Sequence, residues 1–178
     1  MIEVIKKYNP DNIGIATLDD TIFEPELIKM CQMNRCGCYG KNYTCPPHVG
    51  NPEDLIQKIK KYKNVIVFNK VYNIEDSFDL EGMIRGKNDF KRFTQDLYDS
   101  LRQNHKDFIF LGAGGCKLCK KCGAIDNSPC KNPQRAIASL ESYSINVSKL
   151  ASCAGIRYIN GQNTVTYFGA IFFNKEQQ

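Results

Sequence analysis

Four cysteines between Gly112 and Pro133 restrict this chain more than any other feature. Cys116, Cys119, Cys122 and Cys130 form a C-x2-C-x2-C-x7-C array, fed by the apolar run Phe108-Ile109-Phe110-Leu111 and opened by the turn Gly112-Ala113-Gly114-Gly115. Three thiols at successive three-residue steps in one tight loop can converge on a small inorganic centre. Zinc sites usually present C-x2-4-C pairs separated by a longer spacer. Here the third cysteine follows only two residues after the second. The run shares the first three positions of bacterial ferredoxin ligation, C-x2-C-x2-C-x3-C-P. It departs at the fourth, because Cys130 follows after seven residues, with Pro133 three further on. The array points to an iron–sulfur cluster, with zinc as the alternative. In two-cluster ferredoxins the fourth cysteine of a run serves the other cluster, so Cys130 has two candidate destinations.

A second constellation supplies such a destination. Cys31, Cys36, Cys38 and Cys45 lie within fifteen residues, followed by Pro46-Pro47-His48. The pair Cys36 and Cys38 can close on one centre only through a tight turn, which Gly37 can provide. Three ligands here would leave one iron open to substrate, as catalytic zinc sites leave a position open, whereas four would close the centre. His48 is a ligand or proton donor in one reading and a loop histidine bonded to backbone in the plainer one. His105 reads as a cation at a helix C-terminus. Cys153 has no cysteine neighbour on its helix and is expected to be a small buried hydrophobe.

Nine cysteines in 178 residues would suit a secreted disulfide framework, but the N-terminus shows no apolar export segment and the spacings are too short for bridges. No apolar run is long enough to span a bilayer, so a cytoplasmic protein is expected, with thiols kept for metal or catalysis. The formal charge of +5 invites a nucleic-acid partner. A four-thiolate cluster contributes about −2, however, and two would bring the total near +1. There is no phosphate-binding P-loop, no dinucleotide fingerprint and no basic stripe interleaved with aromatics. Neither nucleic acid nor membrane is an expected partner, and the oligomeric state is left open.

The length suits one domain spanning 1–178. Residues 12–18 read as a strand, and Leu27, Ile28 and Cys31 have helical spacing after Pro25. Residues 34–50 are irregular. Asn51-Pro52-Glu53-Asp54 opens a helix with an N-cap, a first-turn proline and acids at the positive end of the dipole. Residues 64–72 form a β-branched strand, and Leu80–Asn104 a long helix with a buried stripe of Phe90, Phe93, Leu97 and Leu101. Residues 107–111 form a strand, while 132–137 and 146–154 begin short helices. Residues 157–159 and Thr164–Phe173 read as strands joined by Asn160-Gly161, and residues 174–178 are expected to fray. Alternating strands and helices predict an α/β fold: a single-domain α/β sandwich with a mixed sheet and two cysteine-rich metal-binding loops.

At several of these places the sequence resembles a known family. The resemblance rests on Cys31-x-Met33-Asn34-x-Cys36-Gly37-x-Tyr39-Gly40 and Thr44-Cys45-Pro46-Pro47. It continues through Gly115-Cys116-x-Leu118-Cys119-x-x-Cys122 and Pro129-Cys130-x-x-Pro133. It closes with Ser139-Leu140-Glu141-x-Tyr143 and Asn160-Gly161-x-Asn163-Thr164-Val165-Thr166-Tyr167-Phe168-Gly169. These segments resemble the small prokaryotic proteins grouped as domain of unknown function 2284, predicted metal-binding proteins. The resemblance implies Cys31, Cys36 and Cys45 as ligands at one site and Cys116, Cys119, Cys122 and Cys130 at the other. Cys38 falls where other residues also occur. The resemblance supplies no reaction. It directs attention to Asn163, Thr164, Thr166 and Tyr167, which are either ordinary strand composition or donors to sulfide or substrate. Arg135 is either a surface charge or a counter-charge to a cluster.

The expected function is therefore that of an iron–sulfur protein with two [4Fe-4S] clusters, acting in electron transfer or as a small reductase component. Its partner would be a redox protein, docking through Lys117, Lys120 and Lys121, or a small-molecule substrate. The alternatives are a non-redox cluster enzyme whose open iron binds a small thiol or sulfide, and a zinc-binding structural or sensor module.

Overall fold

A continuous apolar strand, buried on both faces, sets the architecture. The computed structural model describes residues 1–174. Val65, Ile66, Val67 and Phe68 of β2 (Asn64–Asn73) are all fully buried. Because successive side chains of a strand point to opposite faces, such a run needs cover on both sides. Val65 and Val67 pack with Ile59 of α3 (Pro52–Ile59) and with Val147 and Leu150 of α5 (Val147–Cys153). Ile66 and Phe68 pack with Ile5 of α1 (Ile2–Lys7) and with Phe90, Leu97 and Leu101 of α4 (Leu80–Asn104).

The sheet holds five strands in the order β1-β2-β5-β3-β4. β1 (Asn12–Thr17), β2, β5 (Thr164–Phe173) and β3 (Phe108–Gly112) pair antiparallel in sequence along it. The two-residue β4 (Ala138–Ser139) adds in parallel to β3, so the sheet is mixed and the fold is α/β. Gly169 of β5 faces Phe68 across the central pair. A β-carbon there would stand 2.4 Å from the Phe68 ring, so this position admits only glycine beside an aromatic that the core holds in place.

The Asn51 cap read from sequence is made, and the structure adds a second at Asp79. Asn51 Oδ1 accepts from Glu53 N–H at 2.8 Å, and Asp79 Oδ1 from Gly82 N–H at 2.7 Å, at the starts of α3 and α4. α2 (Leu27–Gln32) is one short turn of helix that buries nothing and carries Cys31 toward the irregular segment. α1 was not expected: its six residues are anchored by Ile5, which is fully buried against α4.

Three local expectations fail. Residues 132–137 form turns rather than a helix; Asn132 instead spends its side-chain amide on Cys119 Sγ. Residues 157–159 form no strand: the Tyr158 ring stacks on Phe168 at 5.4 Å, so the chain crosses the sheet face and does not line its edge. Cys153 is exposed, because α5 buries Val147, Leu150 and Ala151 and turns position 153 to water. Of the terminal stretch expected to fray, Asn174 is tied by bonds from Lys63 N–H and to Lys61 O, and 175–178 lie outside the described residues. Replacing Gly169 with alanine should cost about 1–3 kcal/mol through overpacking against Phe68. An unchanged midpoint in thermal unfolding would contradict that contact.

Candidate metal centre

The C-terminal array is shaped by a spacer that folds back on itself. After Cys122 the chain makes a single 3-10 turn, Gly123–Ile125, and Ser128 N–H returns to Gly123 O at 2.9 Å. Gly123 lies so close to the Ser128 carbonyl that a β-carbon would stand 2.2 Å from its oxygen. This compaction carries Pro129-Cys130 back to the first three thiols. Cys116, Cys119, Cys122 and Cys130 all line one small cavity, closed on its other side by Asn42 and Thr44. The structure thus puts Cys130 with its own run and not with the N-terminal cysteines. Two donors already face the sulfurs: Leu118 N–H to Cys116 Sγ at 3.5 Å, and Asn132 Nδ2 to Cys119 Sγ at 3.3 Å. Among the described residues, no carboxylate or imidazole lines this cavity. A sulfur-only donor set suits zinc or an iron–sulfur cluster, so the residues fit either group.

The N-terminal array is built on turns. Asn34 and Gly37 adopt positive φ, 51° and 71°, and Asn34 Oδ1 accepts from Tyr39 N–H at 3.0 Å. Gly37 therefore supplies the tight reversal that a C-x-C pair requires. Cys38 is turned inward. A β-carbon on Gly115 would stand 3.0 Å from Cys45 Sγ and 3.1 Å from Cys38 Sγ. Both sulfurs therefore press against the same bare backbone position, one residue before Cys116. Cys45 is buried, Cys31 half-buried and Cys36 exposed.

The two arrays meet along a seam. Cys116 N–H donates to Thr44 Oγ1 at 2.9 Å, so the residue before Cys45 holds the first cysteine of the other array. Tyr43 O–H donates to Ser128 O at 2.7 Å and pins the folded spacer to the same loop. Lys91 of α4 donates to Gly115 O, again at the seam. Sequence reading singled out none of Tyr43, Lys91 and the Thr44 hydroxyl for this role. Thr44 stands inside the Thr44-Cys45-Pro46-Pro47 motif, but Lys91 carries no signal that separates it from other helix lysines.

Burial sets the acid–base chemistry of the metal-free thiols. Loss of solvent, then the neighbouring Cys38, push Cys45 up to about 12. Burial raises Cys31, with Glu141 and Cys36 adding to it, and burial also raises Cys116 against a partial offset from Leu118 N–H. Lys91 is held down to about 8 by burial and then by Lys87. The Glu141 carboxyl is raised by the protein packed around it, although water still reaches it through a cavity lined by Tyr158, Thr166 and Tyr167. Among the described residues, no three His, Cys, Asp or Glu side chains already surround a single-ion position.

Other singled-out residues are engaged elsewhere. His48 Nε2 lies 3.3 Å from Gly40 O, the backbone-bonded placement. His105 caps the C-terminus of α4. Asn163 Nδ2 donates to Glu75 O at 2.9 Å and Tyr167 O–H to Met83 O at 2.7 Å. Thr164 Oγ1 donates to Gly161 O at 2.9 Å, and Thr166 Oγ1 accepts from Asn160 at 3.0 Å. These polar groups secure turns and strand ends. Arg135 is paired with Asp99 of α4, and Lys121 with Asp126 at 3.1 Å, while Lys117 and Lys120 are exposed.

Comparison with known proteins bears on this site directly. The family described as predicted metal-binding protein (DUF2284) matches residues 15–173, which takes in both cysteine arrays and all of the sheet but the start of β1. The chain belongs to this family. No curated protein matches it. Among solved structures, epoxyqueuosine reductase from Bacillus subtilis is 15% identical with a TM-score of 0.41, covering 99% of this chain and 45% of that one. A second epoxyqueuosine reductase crystal structure, with selenomethionine, is 14% identical with a TM-score of 0.39, covering 96% of this chain and 44% of that one. The chain thus spans less than half of each. Similarity at this level carries no assignment of activity, and the DUF2284 match stands on its own. Among the described residues, no helix is long and apolar enough to cross a membrane.

Because thiols must lose protons to ligate, and burial holds Cys31, Cys45 and Cys116 protonated, metal uptake by this DUF2284 chain should release protons. Chelator competition between pH 6.5 and 8.5 should show apparent affinity falling by about tenfold or more per unit as pH drops, since each displaced proton contributes one factor of ten. A flat profile would contradict buried thiols as the ligands.

Proposed function

We propose that the protein is an iron–sulfur protein carrying two [4Fe-4S] clusters, working in electron transfer or as a small reductase component. Cys116, Cys119, Cys122 and Cys130 would hold one cluster. Cys31, Cys36 and Cys45 would hold the other, with Cys38 as fourth ligand because its sulfur stands beside that of Cys45. The observation that carries this reading is the seam. The two cysteine arrays meet there through the hydrogen bond from Cys116 N–H to Thr44 Oγ1 and through Gly115, whose bare backbone faces the sulfurs of Cys38 and Cys45.

Such clusters, when bound, take up and release single electrons at potentials set by hydrogen bonds to sulfur, net charge and exposure. The chain supplies those controls. Leu118 N–H and the Asn132 amide donate to cysteine sulfurs of the C-terminal array. Lys91 places a cation between the arrays, partly offsetting the negative charge that thiolate-bound clusters bring. The exposed Lys117 and Lys120 offer a docking face for an acidic redox partner; a small-molecule substrate is the other candidate for the electrons.

Anaerobically isolated protein should be brown and contain both iron and acid-labile sulfide. Colourless protein containing only zinc would overturn the proposal. In the same preparation Cys38→Ala should lower iron content by about half, through loss of one of two equal clusters. Unchanged iron in that variant would instead favour an open iron at the Cys31, Cys36 and Cys45 site, acting as a Lewis acid on a small thiol or sulfide.

A further inference from the structure

Between α4 and the loop that follows β3 lies a cavity of about 380 Å³. Its charged lining is Lys91, Arg92 and Lys117, and among the described residues no acid lines it. Ala113, Leu118 and Ile137 give it an apolar wall. Its rim runs through Gly114, Gly115 and Cys116, so it opens onto the backbone that carries the C-terminal array.

The charge arrangement is costly in isolation. Lys87 and Lys91 stand four residues apart on α4, a like-charge spacing that destabilises a helix. Their side chains converge: a β-carbon on Gly114 would lie 3.6 Å from Lys87 Nζ and 3.8 Å from Lys91 Cε. Among the described residues, none of Lys87, Lys91 and Lys117 has a carboxylate within ion-pair distance. Arg92 keeps one pair, with Asp89 at 3.1 Å, and is otherwise exposed at the cavity. Counter-charge to the cysteine arrays accounts for Lys91, which bonds the seam. It leaves the apolar wall and the size of the cavity unexplained. A single inorganic anion would leave most of that volume and the whole apolar wall unused.

We propose that this cavity binds a small organic anion, a phosphate or carboxylate on an apolar or planar body, held by Lys91, Arg92 and Lys117 against Gly114–Cys116. Its use as the substrate site of the C-terminal array rests on the metal-site reading; the binding itself does not.

Calorimetric titration of the full-length, anaerobically isolated protein with phenyl phosphate, benzoate and inorganic phosphate tests the assignment. Saturable one-to-one binding of phenyl phosphate or benzoate is expected, and whichever binds more tightly identifies the anionic group. In the double variant Arg92→Gln, Lys117→Gln the dissociation constant should rise by about tenfold or more, given the strength of charge-assisted hydrogen bonds, with metal content and absorption spectrum unchanged. Absence of saturable binding by both organic probes would overturn the proposal, as would binding indifferent to the double variant. Inorganic phosphate binding as tightly as phenyl phosphate would overturn the organic body. Protein that carries zinc yet binds the probes would sink the iron–sulfur reading and leave this site standing.

Discussion

The absence of a side chain at Gly115 is the constraint on which both cysteine arrays depend. A β-carbon there would stand 3.0 Å from Cys45 Sγ and 3.1 Å from Cys38 Sγ, tighter than ordinary contact, so both sulfurs would have to give way. With hydrogen in its place, the loop after β3 lies flat against the N-terminal cysteine segment. The next residue, Cys116, can then give its N–H to Thr44. β3 makes this docking rigid, since it is paired on one side with β5 and on the other with β4 before the chain turns at Gly112. The sheet is therefore more than a scaffold for two separate loops. It brings one loop to the edge of the other and fixes the contact between them.

Electrostatics along the seam follow from that closeness. Thiols taken out of water stay protonated until a metal replaces the proton, and Cys31, Cys45 and Cys116 behave this way. Lys91 is the mirror case, a cation losing solvent at the same place and crowded by Lys87. Metal-free, the site holds neutral thiols beside a weakened ammonium group. With thiolate-bound centres in place, the same lysine would face negative charge on two sides. The local cost of burying Lys91 is thus relieved by the groups the cysteines are proposed to hold.

Much of the fold was legible because local signals agreed with the global packing. The long helix was read as Leu80–Asn104 from its stripe of apolar residues, and the structure shows the same bounds, with Asp79 capping its start. β2 was plain from its β-branched run. The misreadings lie where tertiary contacts decide. Residues 157–159 look like one arm of a hairpin, but Tyr158 stacks on the sheet face. Cys153 looked like core until the orientation of α5 was known. α1 is held by one buried isoleucine and by contact with α4. The cysteines themselves were visible from spacing, and Gly37 as the turn between Cys36 and Cys38. The seam was not, because its central bond joins residues 72 positions apart. Spacing within each array carries no information on how the arrays meet.

The account stands or falls on two adjacent, separately ligated iron centres. Anomalous diffraction at the iron edge from anaerobically grown crystals measures this directly. The account predicts two separate peaks, one among Cys116, Cys119, Cys122 and Cys130, the other among Cys31, Cys36, Cys38 and Cys45, on either side of Gly115. A single iron peak, or signal only at the zinc edge, would contradict it.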